Sequence, residues 1–295
     1  MNKIDKDDFA RYIAETMEQQ KTIAAGAYVD EVLAMFHEVG QASPGQMPWG
    51  KAYGLFACRP GEVTLWGGFN GHGKSALTGQ VAIGFLAQNE PCCIASFEML
   101  PAASIKRLVR QMTCGPTPTD TAVRESVGWL DDHKLWFFDH QGSVDVGMIE
   151  KLASYCKERL GVRHLFVDSL MKCVRNEDDF NGQKFFVDRM CDLARHLGLH
   201  IHLIHHSRKG ANEDTPPGKM DMKGSGSITD QVDNVVSVWK RPQPNDNEPD
   251  ALMLVSKQRH GDWTGSLGLW CHAPSLQFVS DFSRRPIDLR GGIGQ

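Results

Sequence analysis

Residues 68–75 read Gly-Phe-Asn-Gly-His-Gly-Lys-Ser and match the pattern G-x-x-x-x-G-K-[ST] at every fixed position. Glycines in such a loop allow backbone N–H groups to converge on phosphate oxygens, and a following helix adds its positive end. The pattern predicts a nucleoside triphosphate site in which Lys74 neutralises the β- and γ-phosphates and the Ser75 hydroxyl ligates Mg²⁺. The alternative is a glycine-rich turn without a ligand. The residues expected to bind the nucleotide are Gly68, Asn70, Gly71, Gly73, Lys74, Ser75 and Ala76.

Two carboxylates follow apolar, β-favouring runs later in the chain. Glu98 comes directly after residues 92–97, and Asp168 comes directly after residues 164–167. At strand ends beside the phosphates, Glu98 is a candidate base for the attacking water, and Asp168 is a candidate support for Mg²⁺. The alternatives at these positions are a surface or helix-capping glutamate and a turn aspartate.

These residues need a scaffold that brings several strand ends together. A short apolar run at Val63–Trp66 precedes the loop, and apolar residues at helical spacing follow it. Strands and helices then alternate, which predicts a parallel α/β sheet with ligands at the carboxyl ends of its strands. After Gly226 several strands follow one another, which predicts an antiparallel addition at one sheet edge. The other predicted strands are Cys92–Phe97, Leu135–Phe138, His164–Val167, His200–Ile204, Val235–Trp239, Ala251–Ser256, Gly265–Trp270 and Leu276–Val279, and the other predicted helices are Ala102–Met112, Val146–Arg159 and Phe185–His196.

The same patterns divide the chain into four parts. Residues 1–40 carry apolar residues at helical spacing and predict an N-terminal helical extension, and residues 41–55, rich in proline and glycine, predict a lead-in linker. Residues 56–283 predict one α/β domain, and residues 284–295 predict a disordered tail.

Composition limits the class of protein. With 295 residues and 41% hydrophobic content, the chain is long enough for one sizeable core. The formal net charge of −4 excludes a uniformly basic nucleic-acid-binding surface, although local basic loops are still compatible with it. Eight cysteines without a C-x-x-C pair favour a reduced, cytoplasmic setting, and no apolar run reaches membrane-spanning length.

Four histidines cluster around a predicted strand, at positions 200, 202, 205 and 206. Because side chains alternate along a strand, His200 and His202 share a face and His205 points the other way. A metal site is one interpretation of such a cluster. The simpler interpretation is a single histidine, His206, at the carboxyl end of the strand beside the nucleotide, because no cysteine or carboxylate nearby completes a ligand set.

Five further segments follow the phosphate loop in an order that resembles the DnaB-like, RecA-type replicative helicases. The match is most similar to the helicase half of phage primase-helicases and spans roughly residues 50–280. It implies a RecA-like P-loop NTPase core with a mostly parallel sheet and helices on both faces. The segments are Ser96-Phe-Glu-Met99, Phe166-Val-Asp-Ser-Leu170, Ile204-His-His-Ser-Arg208, Lys223-Gly-Ser-Gly-Ser-Ile228 and Lys257-Gln-Arg-His-Gly261.

The resemblance assigns roles to individual residues. Glu98 matches the family's catalytic glutamate, and Asp168 matches its Mg²⁺-supporting aspartate. His206 matches the strand-end residue that contacts the γ-phosphate and links it to the DNA-binding loop. Lys257 and Arg259 match the basic pair that a neighbouring subunit inserts into the site, with Arg259 as the arginine finger. A site completed by a neighbour implies an oligomer, and the family suggests a hexameric ring.

Basic residues after His206 are candidates for nucleic-acid contact. Arg208, Lys209, Lys219 and Lys223 stand among glycines and prolines, and the resemblance locates the DNA-binding loop there. A solvated polar loop is the alternative. Bacterial members more usually have glutamine at the position of His206, so a phage-like or organellar-like relative is favoured. The N-terminal helices resemble the linker helix that docks on a neighbouring protomer in these rings.

Taken together, these features predict an ATP- and Mg²⁺-dependent ring helicase that moves on single-stranded DNA during replication, in the cytoplasm of a bacterial or phage-infected cell. Possible partners are a primase, a polymerase or a loader. Primer synthesis is not expected, because residues before position 50 contain no zinc-ribbon cysteines and no room for a primase-type domain. The alternatives are a RecA- or KaiC-like oligomeric ATPase without unwinding activity and a non-enzymatic loader that holds nucleotide as a structural switch.

Overall fold

The structure of the protein is a computed structural model that describes residues 25–30, 32–33, 45–176, 179–206, 214–217, 226–245 and 247–291. The chain forms two compact units, residues 1–42 and residues 43–295. In the first unit, Ala25–Tyr28 form a 3₁₀ turn and residues 29–30 and 32–33 are helical, as the apolar spacing predicts for that stretch. The remainder of the predicted helical extension lies outside the described residues.

The larger unit is built on one sheet, which has nine strands in the part of the chain that is described. Its strand order is β3-β2-β4-β5-β1-β6-β7-β8-β9. The first six strands of that order are parallel, and β7, β8 and β9 continue it antiparallel. The strands are β1 (Val63–Gly67), β2 (Cys92–Ser96), β3 (Leu135–Phe137), β4 (His164–Asp168), β5 (His200–Ile204), β6 (Asn234–Lys240), β7 (Ala251–Gln258), β8 (Gly265–His272) and β9 (Gln277–Val279).

Helices cover both faces of this sheet, because strand residues alternate between two hydrophobic clusters. Val63 and Leu65 join the cluster beneath α4, α5 and α6, whereas Trp66 joins the cluster beneath α1, α2 and α3. No helix among the described residues is long and apolar enough to cross a bilayer. The helices are α1 (Lys74–Leu86), α2 (Pro101–Met112), α3 (Asp120–Asp132), α4 (Val146–Leu160), α5 (Phe180–Leu197) and α6 (Gly226–Gln231), and 3₁₀ turns lie at Gly50–Ala52, Leu170–Lys172 and Leu289–Gly291.

The predicted fold class is therefore confirmed: a mostly parallel α/β sheet with an antiparallel C-terminal extension. Each predicted strand is present, with bounds that differ by at most two residues at either end. Sequence reasoning missed α3, whose start is marked by the Thr119 side chain accepting a hydrogen bond from the Ala122 N–H. The predicted start of α5 at Phe185 is five residues late, because the helix begins at Phe180, after the Asp179 side chain that accepts a hydrogen bond from the Gly182 N–H.

The predicted linker over residues 41–55 is wrong for residues 45–49 and 52, which are buried in the core. Met47 and Trp49 are fully buried, and the Trp49 indole N–H donates to the Phe278 carbonyl at 2.7 Å. The Gly45 N–H donates to the buried Glu90 carboxylate at 2.8 Å. Proline and glycine here shape an irregular segment whose side chains are still apolar enough to be buried.

The predicted disordered tail is likewise wrong for residues 284–291, while residues 292–295 lie outside the described residues. The Arg284 guanidinium makes two 2.9 Å contacts with the Asp250 carboxylate. The Ile287 N–H and carbonyl bond the Gln277 carboxamide at 3.0 and 2.8 Å, and Leu289 is buried. These long-range contacts hold a segment that has no periodic pattern of its own.

Candidate nucleotide-binding site

The residues predicted to bind nucleotide or to act in its hydrolysis meet at the carboxyl edge of the parallel strands, apart from Lys257 and Arg259. The phosphate loop follows β1, Glu98 follows β2, Asp168 ends β4 and His206 follows β5. These four strands are neighbours in the order β2-β4-β5-β1, and Ser96 of β2 is in register with Asp168. The parallel sheet thus brings side chains from distant parts of the sequence to one place.

The loop backbone requires glycine at two of its positions. Gly68 has φ 146°, and a Cβ there would lie 2.3 Å from the Val238 carbonyl oxygen. Gly73 has φ 88° and forms the N-cap of α1, and a Cβ there would lie 2.8 Å from the Phe278 ring. Any larger side chain at either position would displace the neighbouring strand, so the loop can close over the start of α1 only with glycine.

The Lys74 ammonium is folded back over the loop. Its Nζ donates to the carbonyl oxygens of Gly68 at 2.8 Å and Phe69 at 2.9 Å, and the residue is only 6% exposed. Burial lowers the pKa of Lys74 to about 8, although Asp168 and Glu98 both act to raise it. The amine is therefore held inside the loop, and its pKa lies close to physiological pH.

Ser75 and Asp168 form a pair of oxygen ligands. The Ser75 hydroxyl donates to the Asp168 Oδ2 at 3.0 Å. Burial raises the pKa of Asp168, while the Ser75 hydrogen bond and the Lys74 charge act to lower it. A hydroxyl and a carboxylate in contact suit a hard cation such as Mg²⁺, which binds oxygen.

Glu98 and His206 lie beside this pair. The Glu98 Oε1 accepts a hydrogen bond from the Ser169 hydroxyl at 2.8 Å and lies 3.9 Å from the His206 Nε2. The side chains of Glu98 and His206 are 39% and 27% exposed. Burial, and then the charge of Lys74, lower the pKa of His206. Glu98 is thus anchored but open to solvent, as a group that acts on water must be.

Two residues near the site carry no signal in the phosphate-loop pattern. Ser169 immediately follows Asp168, so its position within Phe166-Val-Asp-Ser-Leu170 is the signal that could have found it. Arg107 of α2 lines a small cavity of about 40 Å³ together with Ser75 and Asp168. Burial lowers the pKa of Arg107, and Asp168 opposes this.

Open space adjoins the loop. A cleft of about 930 Å³ is lined by Asn70, Gly71, Glu98, Gln141, Lys172 and His206, among others. A second pocket, of about 200 Å³, lies between the loop and strands β8 and β9 and includes His72, Lys240 and Phe278 in its lining. The Lys240 N–H donates to the His72 Nδ1 at 3.0 Å, so the loop histidine fastens the loop to β6.

Lys257 and Arg259 are brought to a different place, at the carboxyl end of α6. The Lys257 ammonium donates to the carbonyls of Thr229, Asp230 and Val232 at 3.1, 2.7 and 2.6 Å. Gln258 pairs with Asn234, which in turn pairs with Thr64 near the start of β1. The basic pair therefore lies by the amino ends of the parallel strands, whereas the phosphate loop lies at their carboxyl ends.

Comparison with known proteins bears on this arrangement. A family model described as an AAA domain matches residues 57–212, more than half of the chain. The chain belongs to this family. The matched part of this AAA domain contains the phosphate loop, Glu98, Asp168 and His206.

Solved structures share the fold. The chain resembles the "ATPase Domain of G40P" with a TM-score of 0.74 and 15% identity, over 88% of this chain and 100% of that one. It resembles the chain of "The Structure Of A DnaB-Like Replicative Helicase And Its Interactions With Primase" with a TM-score of 0.72 and 16% identity, over 92% of this chain and 74% of that one. The predicted RecA-like fold of the AAA domain is thereby confirmed.

Four basic residues predicted to contact nucleic acid lie outside the described residues. They are Arg208, Lys209, Lys219 and Lys223. The same is true of residues 223–225 in the predicted motif over 223–228. They stay predictions.

His206 lies beside Glu98, whereas His200 and His202, together with His164 of β4, form a buried network of polar groups, here called the histidine seam. The Trp66 indole N–H donates to the His202 Nδ1 at 3.1 Å, and the His202 Nε2 lies 3.1 Å from the His164 Nδ1. The His164 Nε2 lies 2.5 Å from the Glu90 carboxylate. Because the indole can only donate, the imidazoles pass hydrogen bonds in one direction, from Trp66 to Glu90.

His200 completes the seam. Its Nδ1 lies 2.6 Å from the Arg59 carbonyl oxygen, so it donates there, and its Nε2 lies 2.8 Å from the Thr64 hydroxyl, which donates to it. Cys58, His200 and His202 have potential metal-ligating atoms within 4.8 Å of one another. Both ring nitrogens of both histidines already bond protein groups, so hydrogen bonding accounts for the cluster.

Proposed function

We propose that this protein is an ATP-hydrolysing DNA helicase of the DnaB-like type, which moves on single-stranded DNA as a ring. The observation that carries the proposal is the convergence of Lys74, Ser75, Asp168, Glu98 and His206 at one edge of the sheet. Such a set contains the groups that phosphoryl transfer to water requires: a phosphate cradle, a metal site and a base.

ATP, or another nucleoside triphosphate, would be held by Gly68, Asn70, Gly71, Gly73, Lys74, Ser75 and Ala76. Mg²⁺ would be held through Ser75 and Asp168, whose oxygens are already in contact at 3.0 Å. When bound, the cation neutralises charge that develops on the phosphate oxygens. Lys74 exchanges the two loop carbonyls that it now contacts for phosphate oxygens.

Glu98 orients the attacking water and accepts its proton, and Ser169 holds the Glu98 carboxylate toward the site. His206 follows β5, and its Nε2 lies 3.9 Å from the Glu98 carboxylate, so its ring would contact the γ-phosphate and sense whether that phosphate is present. Its lowered pKa keeps the ring neutral near pH 7.

Arg259 acts in a neighbouring subunit. The phosphate loop and Arg259 lie at opposite ends of β1, a strand of five residues, and four rises span about 13 Å. An arginine at that distance serves a second copy more readily than its own loop, which supports an oligomer. We propose a hexameric ring in which Arg259, with Lys257 beside it, stabilises transition-state charge across each interface.

Single-stranded DNA would contact Arg208, Lys209, Lys219 and Lys223, which follow His206 in the sequence. One solved structure of this fold is titled for a DnaB-like replicative helicase and its interactions with primase. We therefore propose a primase as a partner, with a polymerase or a loader as further candidates, in the cytoplasm of a bacterial or phage-infected cell.

A RecA- or KaiC-like oligomeric ATPase is the second candidate, because it would share the loop, Glu98 and Asp168. The Lys257-x-Arg259 pair and the segment Gly224-Ser-Gly226 favour the helicase.

A strand-displacement assay on forked DNA tests the proposal, with ATP hydrolysis measured with and without single-stranded DNA. We expect Mg²⁺-dependent unwinding and DNA-stimulated hydrolysis. Lys74→Ala should abolish both, whereas Arg259→Ala should abolish hydrolysis and spare nucleotide binding. Stimulated hydrolysis without unwinding would instead identify the RecA- or KaiC-like ATPase. Normal hydrolysis by Arg259→Ala in dilute samples would refute the finger assignment.

A further inference from the structure

Asp233 makes contacts on three sides although its side chain is only 2% exposed. Its Oδ2 accepts a hydrogen bond from the Val63 N–H at 3.0 Å, and its own N–H donates to the Val63 carbonyl at 3.1 Å. Its Oδ1 lies 3.3 Å from the Arg259 Nη1, and its carbonyl accepts from the Arg259 N–H at 3.0 Å. Both the backbone and the side chain of Arg259 are therefore fastened to this one residue.

The place of Asp233 in the chain is as informative as its contacts. It lies between α6 (Gly226–Gln231) and β6 (Asn234–Lys240). Val63, its partner on the other side, is the first residue of β1, the strand that ends in the phosphate loop. Asp233 thus joins three elements: the helix that follows the predicted DNA-binding segment, the strand of its own phosphate loop, and the predicted arginine finger.

The surroundings favour a charged role for this carboxylate. Arg259 is 40% exposed, so without an anchor its long side chain would sample many rotamers. Its Nη2 also donates to the Gln231 carbonyl at 3.1 Å, which keeps the guanidinium at the carboxyl end of α6. Arg195 approaches the same Asp233 oxygen at 3.7 Å but is itself 49% exposed. The Arg259 guanidinium, at 3.3 Å, is the nearer of the two positive partners of Asp233, and a buried carboxylate without such a partner is costly.

We propose that Asp233 is the positioning residue for Arg259: it holds the guanidinium ready for a neighbouring subunit and ties that position to β1 of its own. The inference rests on the proposed function, because it takes Arg259 to act across an interface. Through Asp233, the position of Arg259 in each subunit is fixed relative to β1, the strand before the phosphate loop of the same subunit.

Complementation between two inactive variants tests this. Lys74→Ala protomers supply a finger but have no working cradle, and Arg259→Ala protomers have a cradle but supply no finger. Mixed together, they should recover hydrolysis at interfaces that combine the two. Asp233→Asn is then added either to the finger-supplying protomer or to the cradle-supplying protomer. The amide keeps the size of the side chain and an acceptor for the Val63 N–H, and removes the charge.

We expect Asp233→Asn in the Lys74→Ala protomer to lower the recovered rate roughly ten- to a hundredfold, as a misplaced catalytic group does. The same substitution in the Arg259→Ala protomer should change the rate by less than about twofold, because no finger remains there to position. Equal losses in both placements would overturn the inference, since they would mean that Asp233 acts through β1 or through general stability. No loss in either placement would overturn it as well.

Two controls complete the design. Arg195→Ala in the finger-supplying protomer removes the other arginine near Asp233, and should leave the recovered rate nearly unchanged. Should Asp233→Asn fail to fold, as judged by circular dichroism, Asp233→Glu keeps the charge, moves it by one methylene, and is compared in the same two placements. Failure of the proposed function is recognised separately: an inactive wild-type protein, or a mixture that recovers nothing, overturns the trans site and this inference with it.

Discussion

At the residue scale, the burial of the Lys74 amine makes nucleotide affinity depend on pH. The pKa of Lys74 is lowered to about 8, and a bound triphosphate would raise it again by supplying negative charge. The protonated form binds phosphate better, so nucleotide binding should take up a proton above pH 8, and affinity should fall as the pH rises through that value.

Isothermal titration calorimetry at pH 8.5 in two buffers with different ionisation enthalpies measures this proton. The apparent enthalpies should differ in proportion to the buffer enthalpies. Lys74→Arg is the matched control, because the guanidinium stays charged and should abolish the difference. Identical enthalpies for the wild-type protein would show that Lys74 is already fully protonated before binding.

Ser169 offers a second prediction at this scale, because its hydroxyl donates to the Glu98 carboxylate at 2.8 Å. Ser169→Ala frees Glu98 to rotate, and we expect kcat to fall about tenfold, the equivalent of one hydrogen bond to a charged group, with KM nearly unchanged. Steady-state ATP hydrolysis measures both parameters. Ser143→Ala, a serine in the lining of the same cleft, is the control. A rise in KM without a fall in kcat would assign Ser169 to binding instead.

At the element scale, a buried carboxamide joins β9 to the helix that begins at the phosphate loop. The Gln80 side chain accepts from the Phe278 N–H at 2.8 Å and donates to the Phe278 carbonyl at 2.8 Å. Gln80 is fully buried on α1, and the Phe278 ring lies against Gly73 at the start of that helix. The Gln80 carboxamide therefore satisfies both backbone groups of Phe278 and attaches β9 to α1.

Gln80→Met should destabilise the protein by about 1–3 kcal/mol, because the Phe278 N–H loses its acceptor inside the core. The Phe278 carbonyl keeps a second donor in the Trp49 indole, so the cost is that of one unpaired group. Urea unfolding measures the change as a lower midpoint with the same slope. Gln243→Met, an exposed glutamine, should have no effect, and an unchanged midpoint for Gln80→Met would show that β9 is held by its apolar contacts alone.

At the scale of the whole molecule, the histidine seam makes stability depend on pH. Burial lowers the pKa of His164, His200 and His202, although Glu90 acts to raise that of His164. The unfolded chain then takes up protons near pH 6.5 that the folded protein does not bind. The stability that these buried neutral histidines contribute is therefore fully present above pH 6.5 and decreases as the pH falls below that value.

Each of these histidines contributes up to about 1.4 kcal/mol per pH unit below pH 6.5. Urea unfolding between pH 7.5 and pH 5.5 should show this fall in the free energy of unfolding. His202→Gln should reduce the slope, whereas His196→Gln, which replaces an exposed histidine, should not. A wild-type free energy that stays constant over this range would mean that the seam is protonated in the folded protein.

Much of the fold and of the candidate site could be predicted because both depend on short-range patterns. Apolar runs marked the strands, and the parallel-sheet rule then brought Glu98, Asp168 and His206 to the same edge as the phosphate loop. The helix α3 was missed because its apolar face is weak, and only two of its residues, Ser126 and Leu130, are buried.

The sequence by itself determined the phosphate loop and the identity of its neighbours, since backbone conformation and strand periodicity are local properties. Only the tertiary structure decided which side chains hold these groups in place. Three of these contacts join residues far apart in the chain. Ser169 and Glu98 are separated by 71 positions, Trp49 and Phe278 by 229, and Arg259 and Asp233 by 26. Such contacts form because buried polar groups must find partners wherever folding brings them, and no spacing in the sequence records that choice.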